Sequence, residues 1–83
     1  MRRFTDPEIV FHYEGTGGGM EQTLEANEDG TLTHDESPNY YAYLGGAKGK
    51  VDRLSPAEAK ARFPGYDEKI DSAVAYMKGR RRQ

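Results

Sequence analysis

Two histidines, fourteen carboxylates and no cysteine are the groups from which this 83-residue chain can build a reactive site. The lack of a thiol removes cysteine nucleophiles, thiolate-ligated metal and disulfides together. His12 and His34 would form a metal or acid–base pair with a carboxylate such as Glu14 if their segments lay side by side. Ser37, Ser55, Ser72 and the threonines are the remaining hydroxyl nucleophiles, and none has a base at a recognised spacing. Covalent catalysis is therefore not expected, and the chain does not read as an enzyme.

Residues 25–36 carry the densest array of oxygen ligands. Taking Glu25 as position one of a calcium loop puts Asn27 and Asp29 at positions three and five, Gly30 at six, Leu32 at eight and Glu36 at twelve. The pattern departs from an EF-hand in opening on Glu, and Pro38 obstructs the exiting helix. An acidic hairpin turn explains the same residues. Two glycine-rich stretches, 15–19 and 45–50, lack the spacing of a dinucleotide or P-loop fingerprint. No metal or other cofactor is expected.

These groups must be positioned by the elements around them. Residues 8–14 (EIVFHYE) alternate as a strand, with Ile9, Phe11 and Tyr13 inward, Glu8, His12 and Glu14 outward, and Val10 as the exception. After the glycine loop, residues 20–26 (MEQTLEA) alternate again, with Met20, Leu24 and Ala26 inward and Glu21, Thr23 and Glu25 outward. Asn27-Glu28-Asp29-Gly30 is a turn in which glycine supplies positive φ, and residues 31–34 return as a short strand. Residues 35–39 break the pattern. The aromatic run 40–44 (YYAYL) is expected as a further strand, and 51–54 as a last extended piece.

Ser55-Pro56-Ala57-Glu58 is a helix start, with Ser as N-cap, Pro in the first turn and Glu completing a capping box. That short helix ends at Pro64-Gly65. A longer one follows, because Ile70, Ala73, Val74 and Met77 fall at i, i+3, i+4 and i+7 on one face. Asp67 and Glu68 stand at its start and Lys78 near its end, in the order the helix macrodipole favours, with Gly79 expected to close it.

The fold class expected is α+β: a small antiparallel sheet of three to five short strands, covered on one face by a short helix and a longer C-terminal helix. One domain is expected over residues 1–79, with 80–83 a basic tail. Its core should draw on Ile9, Phe11, Tyr13, Met20, Leu24, Leu32, Leu44, Val51, Phe63, Ile70, Val74 and Met77. A domain of this size buries roughly 60% of the surface its unfolded chain exposes, so modest stability is expected.

Charge is divided along the chain. Nine of the fourteen acids precede Lys48, against two of the twelve lysines and arginines, and the balance then reverses. Arg2-Arg3-Phe4 opens as a secretion signal would, but Asp6, Pro7, Glu8 and Glu14 interrupt the apolar run. No signal peptide, no membrane segment and a cytoplasmic location are expected.

What remains is surfaces. Glu8, Glu14, Glu21 and Glu25 on the outward sheet face, with Tyr40 and Tyr41 as anchors, suit a non-enzymatic module that binds a protein with a basic surface, such as a small adaptor or a stoichiometric inhibitor. The alternative is a nucleic-acid-binding module that holds phosphates through Lys78, Arg80, Arg81 and Arg82.

Overall fold

The computed structural model describes residues 5–13 and 17–81, with side chains to residue 80. Four strands, β1 (Ile9–Tyr13), β2 (Met20–Ala26), β3 (Leu32–Pro38) and β4 (Lys50–Leu54), form one antiparallel sheet in the order β1-β2-β3-β4. Helix α1 (Tyr40–Leu44) lies between β3 and β4, and α2 (Pro56–Arg62) and α3 (Asp67–Arg81) follow the last strand. This is the small α+β architecture expected, with its sheet built before its covering helices.

The core explains the layering. Leu24, Ala26, Leu32 and Leu54 from the sheet meet Ala59 of α2 and Ile70, Ala73, Val74 and Met77 of α3, all buried. The i, i+3, i+4, i+7 stripe of α3 is thus its seam against β1, β2 and α2. Ser55 makes the expected capping box, its Oγ accepting from Glu58 N–H while Glu58 Oε1 accepts from Ser55 N–H, both at 3.1 Å.

Strand β1 departs from simple alternation. A bulge between Ile9 and Phe11 leaves Ile9 opposite Glu25 and Phe11 opposite Leu24. Val10 is consequently buried, and Phe11 also packs at the covered face against Phe63 and Tyr66. Residues 8 and 10 share one phase, and after the bulge 11 and 13 share the other. Glu8 is therefore buried rather than outward, and Tyr13, expected in the core, is exposed.

Four further expectations are corrected. Residues 40–44 are helix, not strand, and β3 extends to Pro38 instead of ending at His34. Leu44 and Val51, expected in the core, are exposed. Helix α3 runs through Gly79 to Arg81, so that glycine does not close it.

Gly30 does what the turn requires, with φ of 89°. Its Cα also lies under Lys78: a Cβ there would sit 3.2 Å from Lys78 Cε. Among the described residues, no helix is long and apolar enough to cross a membrane.

Candidate interaction surface

Alternation about the buried Leu24, Ala26 and Leu32 sends Glu21, Thr23 and Glu25 of β2, and Thr33, Asp35 and Ser37 of β3, to the face opposite the helices. The β3–β4 register adds Arg53, opposite Thr33, and Val51, opposite Asp35. Three carboxylates thus share this open face with one guanidinium, and that guanidinium already reaches Asp29 Oδ2 at 3.5 Å. The carboxyl of Asp29 is held below its ordinary range, chiefly by hydrogen bonds from Thr31, whose N–H donates to Oδ1 at 2.9 Å. Among the described strand residues, acidic side chains therefore outnumber basic ones on the open face.

Its polar side chains are ordered by one another. His12 Nδ1 lies 2.9 Å from Thr23 Oγ1 across β1 and β2. Asn27 Nδ2 donates to Thr33 Oγ1 at 2.9 Å, and Ser37 Oγ donates to Asp35 Oδ1 at 3.1 Å.

Helix α1 stands at the end of this sheet and is made by its caps. Asn39 Oδ1 accepts from Ala42 N–H at 3.0 Å, its backbone N–H donates to Gly19 O at 3.1 Å, and its amide nitrogen donates to Gly17 O. At the other end Gly45 N–H bonds back to Tyr41 O and Ala47 N–H to Ala42 O. Gly49 lies so close to β3 that a Cβ would sit 3.1 Å from Glu36 O, fixing the return into β4. The sequence carried the signal for a helix, an Asn before the aromatic run and Gly-Gly after it, but aromatic β-propensity outweighed it.

Of the five residues in α1 only Ala42 is buried. Tyr40, Tyr41, Tyr43 and Leu44 are 69, 67, 68 and 63% exposed. The rings of Tyr40 and Tyr41 meet edge to face, 5.5 Å between centroids and 76° between planes. Glu21 pairs with Ser37, three residues before Tyr40, so the acidic face leads to the tyrosines along the chain.

The residues expected at an interface fall in different places. Glu21 and Glu25 share the open face, and Tyr40 and Tyr41 are exposed. Glu8 is buried, with its carbonyl accepting from Ala26 N–H at 2.8 Å, and leaves the set. Glu14 lies outside the described residues. Asp35, Tyr43 and Leu44 join the surface, Asp35 because β3 continues beyond the expected break.

The other groupings separate. His12 pairs with Thr23 and His34 with Leu24, adjacent residues of β2 that face opposite ways, so the sheet itself stands between the two imidazoles. Glu25 and Glu36, the two ends of the calcium-loop spacing, likewise take opposite faces of a hairpin. No cluster of three potential metal ligands occurs among the described residues. In the basic set, Lys78 lies against the turn that carries Glu28 and Asp29, Arg80 is exposed, Arg81 is the last residue of α3, and Arg82 lies outside the described residues. No family model, curated protein or solved structure matches this chain.

Proposed function

We propose that the chain is a non-enzymatic protein-binding module, an adaptor or stoichiometric inhibitor, that docks on a basic protein surface through the tyrosines of α1 and the acidic open face of the sheet. The observation that carries this reading is the exposure of Tyr40, Tyr41, Tyr43 and Leu44 on a helix whose only buried side chain is Ala42. Four large side chains held in one short capped helix lose little further freedom on binding, and tyrosine combines apolar area with a polar end.

Attraction and attachment fall to different residues. Glu21, Glu25 and Asp35 raise the encounter rate with a positively charged partner, an effect that salt weakens. Once docked, burial of the Tyr40 and Tyr41 rings slows dissociation. The nucleic-acid alternative rests on Lys78 and the arginines after it. The acidic turn beside Lys78 offsets its charge locally and argues against that reading.

The test is capture of partners from a lysate, with and without nuclease and at two salt concentrations, by the wild-type chain and by two variants. Glu21→Lys with Glu25→Lys should slow association and flatten its salt dependence, whereas Tyr40→Ser with Tyr41→Ser should speed dissociation. A nuclease-resistant partner lost in both variants supports the module. Retention of nucleic acid that vanishes when residues 80–83 are removed supports the alternative instead, and a partner retained equally by both variants rejects this surface.

A further inference from the structure

The covered face of the sheet holds a buried imidazole that no part of the proposed interface uses. His34 is only 1% exposed, with Leu24 and Asp52 as its cross-strand neighbours. Its Nε2 lies 3.2 Å from Gln22 Oε1 and 3.6 Å from Glu36 Oε1. Both are acceptors, so the neutral ring carries its proton on Nε2, and Nδ1, buried and without a hydrogen-bond partner, is a bare lone pair. Phe63, at the C-cap of α2, meets the imidazole in a T-shaped contact with centroids 4.9 Å apart and 63° between planes, and Phe63 in turn meets Phe11 at 5.3 Å.

We propose that His34 makes the seating of α2 on the sheet sensitive to acid, because the imidazole against which Phe63 packs is buried with no acceptor for a second proton. Protonation would add an N–H at Nδ1 that has no acceptor and would place a charge in a site shut off from water. The surrounding charges largely offset one another. Glu36 on β3 and Asp52 on β4 favour the cation, while Lys50 on β4 and Arg62 on α2 oppose it, and Gln22 on β2 is neutral. Asp52 is moreover already engaged, by Arg62 Nη1 at 3.3 Å and Lys50 Nζ at 3.5 Å. Desolvation is left as the largest influence, and it pushes the imidazole below its ordinary 6.5.

The direction of the pH effect follows. Well above pH ~6.5 the imidazole is neutral in folded and unfolded chains alike and adds no pH dependence. As pH falls below that value the unfolded chain takes up a proton that the folded one resists. Stability therefore drops, and the drop levels off once the folded imidazole is protonated too.

Urea unfolding of the full chain at pH 7.5 and 5.0 tests this. The wild-type midpoint should fall on acidification, and His34→Leu should lose most of that fall. Glu36→Gln, which removes a group favouring the cation, should enlarge it. Should His34→Leu fail to fold, NMR titration of the wild-type ring protons replaces it: His34 should titrate below 6.5, with the Phe63 and Phe11 ring resonances moving at the same midpoint. Equal pH dependence in wild type and His34→Leu, titration of His34 at or above 6.5, or Phe63 resonances that ignore it would each overturn the proposal.

Discussion

Helices α3 and α1 use apolar side chains in opposite ways. The longer helix turns Ile70, Ala73, Val74 and Met77 inward and leaves its charges in water. The shorter one buries a single methyl group, that of Ala42, and presents three phenols and a leucine to solvent. An apolar stripe closed against a sheet supports the fold, whereas an apolar patch left open is available to something else. If that contrast holds, substitutions in α3 should act on stability and substitutions in α1 on binding.

The largest effect is expected from Ile70→Asp. Ile70 is fully buried between the sheet and α2, and the substitution removes its packing and leaves a carboxylate without water or a partner. The loss should exceed about 4 kcal/mol, enough to unfold a domain of marginal stability. Circular dichroism would show it, and a folded Ile70→Asp chain would mean that α3 is not the lid of this core. Next comes Ser55→Ala, which breaks the capping box of α2 and should lower stability by about 1 kcal/mol, or roughly 4–8 °C in Tm for a domain of this size.

The same contrast explains what the sequence disclosed. The seam of α3 was legible because the i, i+3, i+4, i+7 spacing has no competing explanation. The capping box of α2 was legible because its residues are specific to that geometry. The inward side of β2 was legible because Leu24 and Ala26 alternate with Glu21, Thr23 and Glu25. Strand β1 was misread in part because a bulge leaves no mark in composition: Glu8, polar and two residues before Val10, is carried inward by a phase that changes only after Val10. Helix α1 was misread because five residues are too few for a period, and the identities of its caps were the better guide. For the candidate surface, Tyr40, Tyr41, Glu21 and Glu25 were legible as residue types. The entry of Asp35 and the loss of Glu8 depended on register, which only strand pairing supplies.

Smaller effects sharpen the comparison at α1. Asn39→Ala removes the cap that bonds Ala42 N–H and the amide link to Gly17 O, so about 1 kcal/mol or less is expected, confined to α1 and the adjoining loop. Faster amide exchange at residues 42 and 43, with protection of α3 unchanged, would register it. Slower binding of a partner in the same variant would show that the caps hold the tyrosines ready.

Tyr41→Ser should be the least disruptive to the fold and the most informative about function. Among the described residues the only ring contact of Tyr41 is with Tyr40, itself mostly exposed, and neither belongs to the core. Removing a two-thirds-exposed phenol leaves no cavity and no orphaned polar group, so stability should stay within about 0.5 kcal/mol of wild type. A thermal melt decides this. An unchanged Tm together with lost partner binding would separate the two helices as the comparison requires. A Tm lowered as far as by Ser55→Ala would instead mean that the tyrosines support the fold, and that the exposed face of α1 is no longer free to serve a partner.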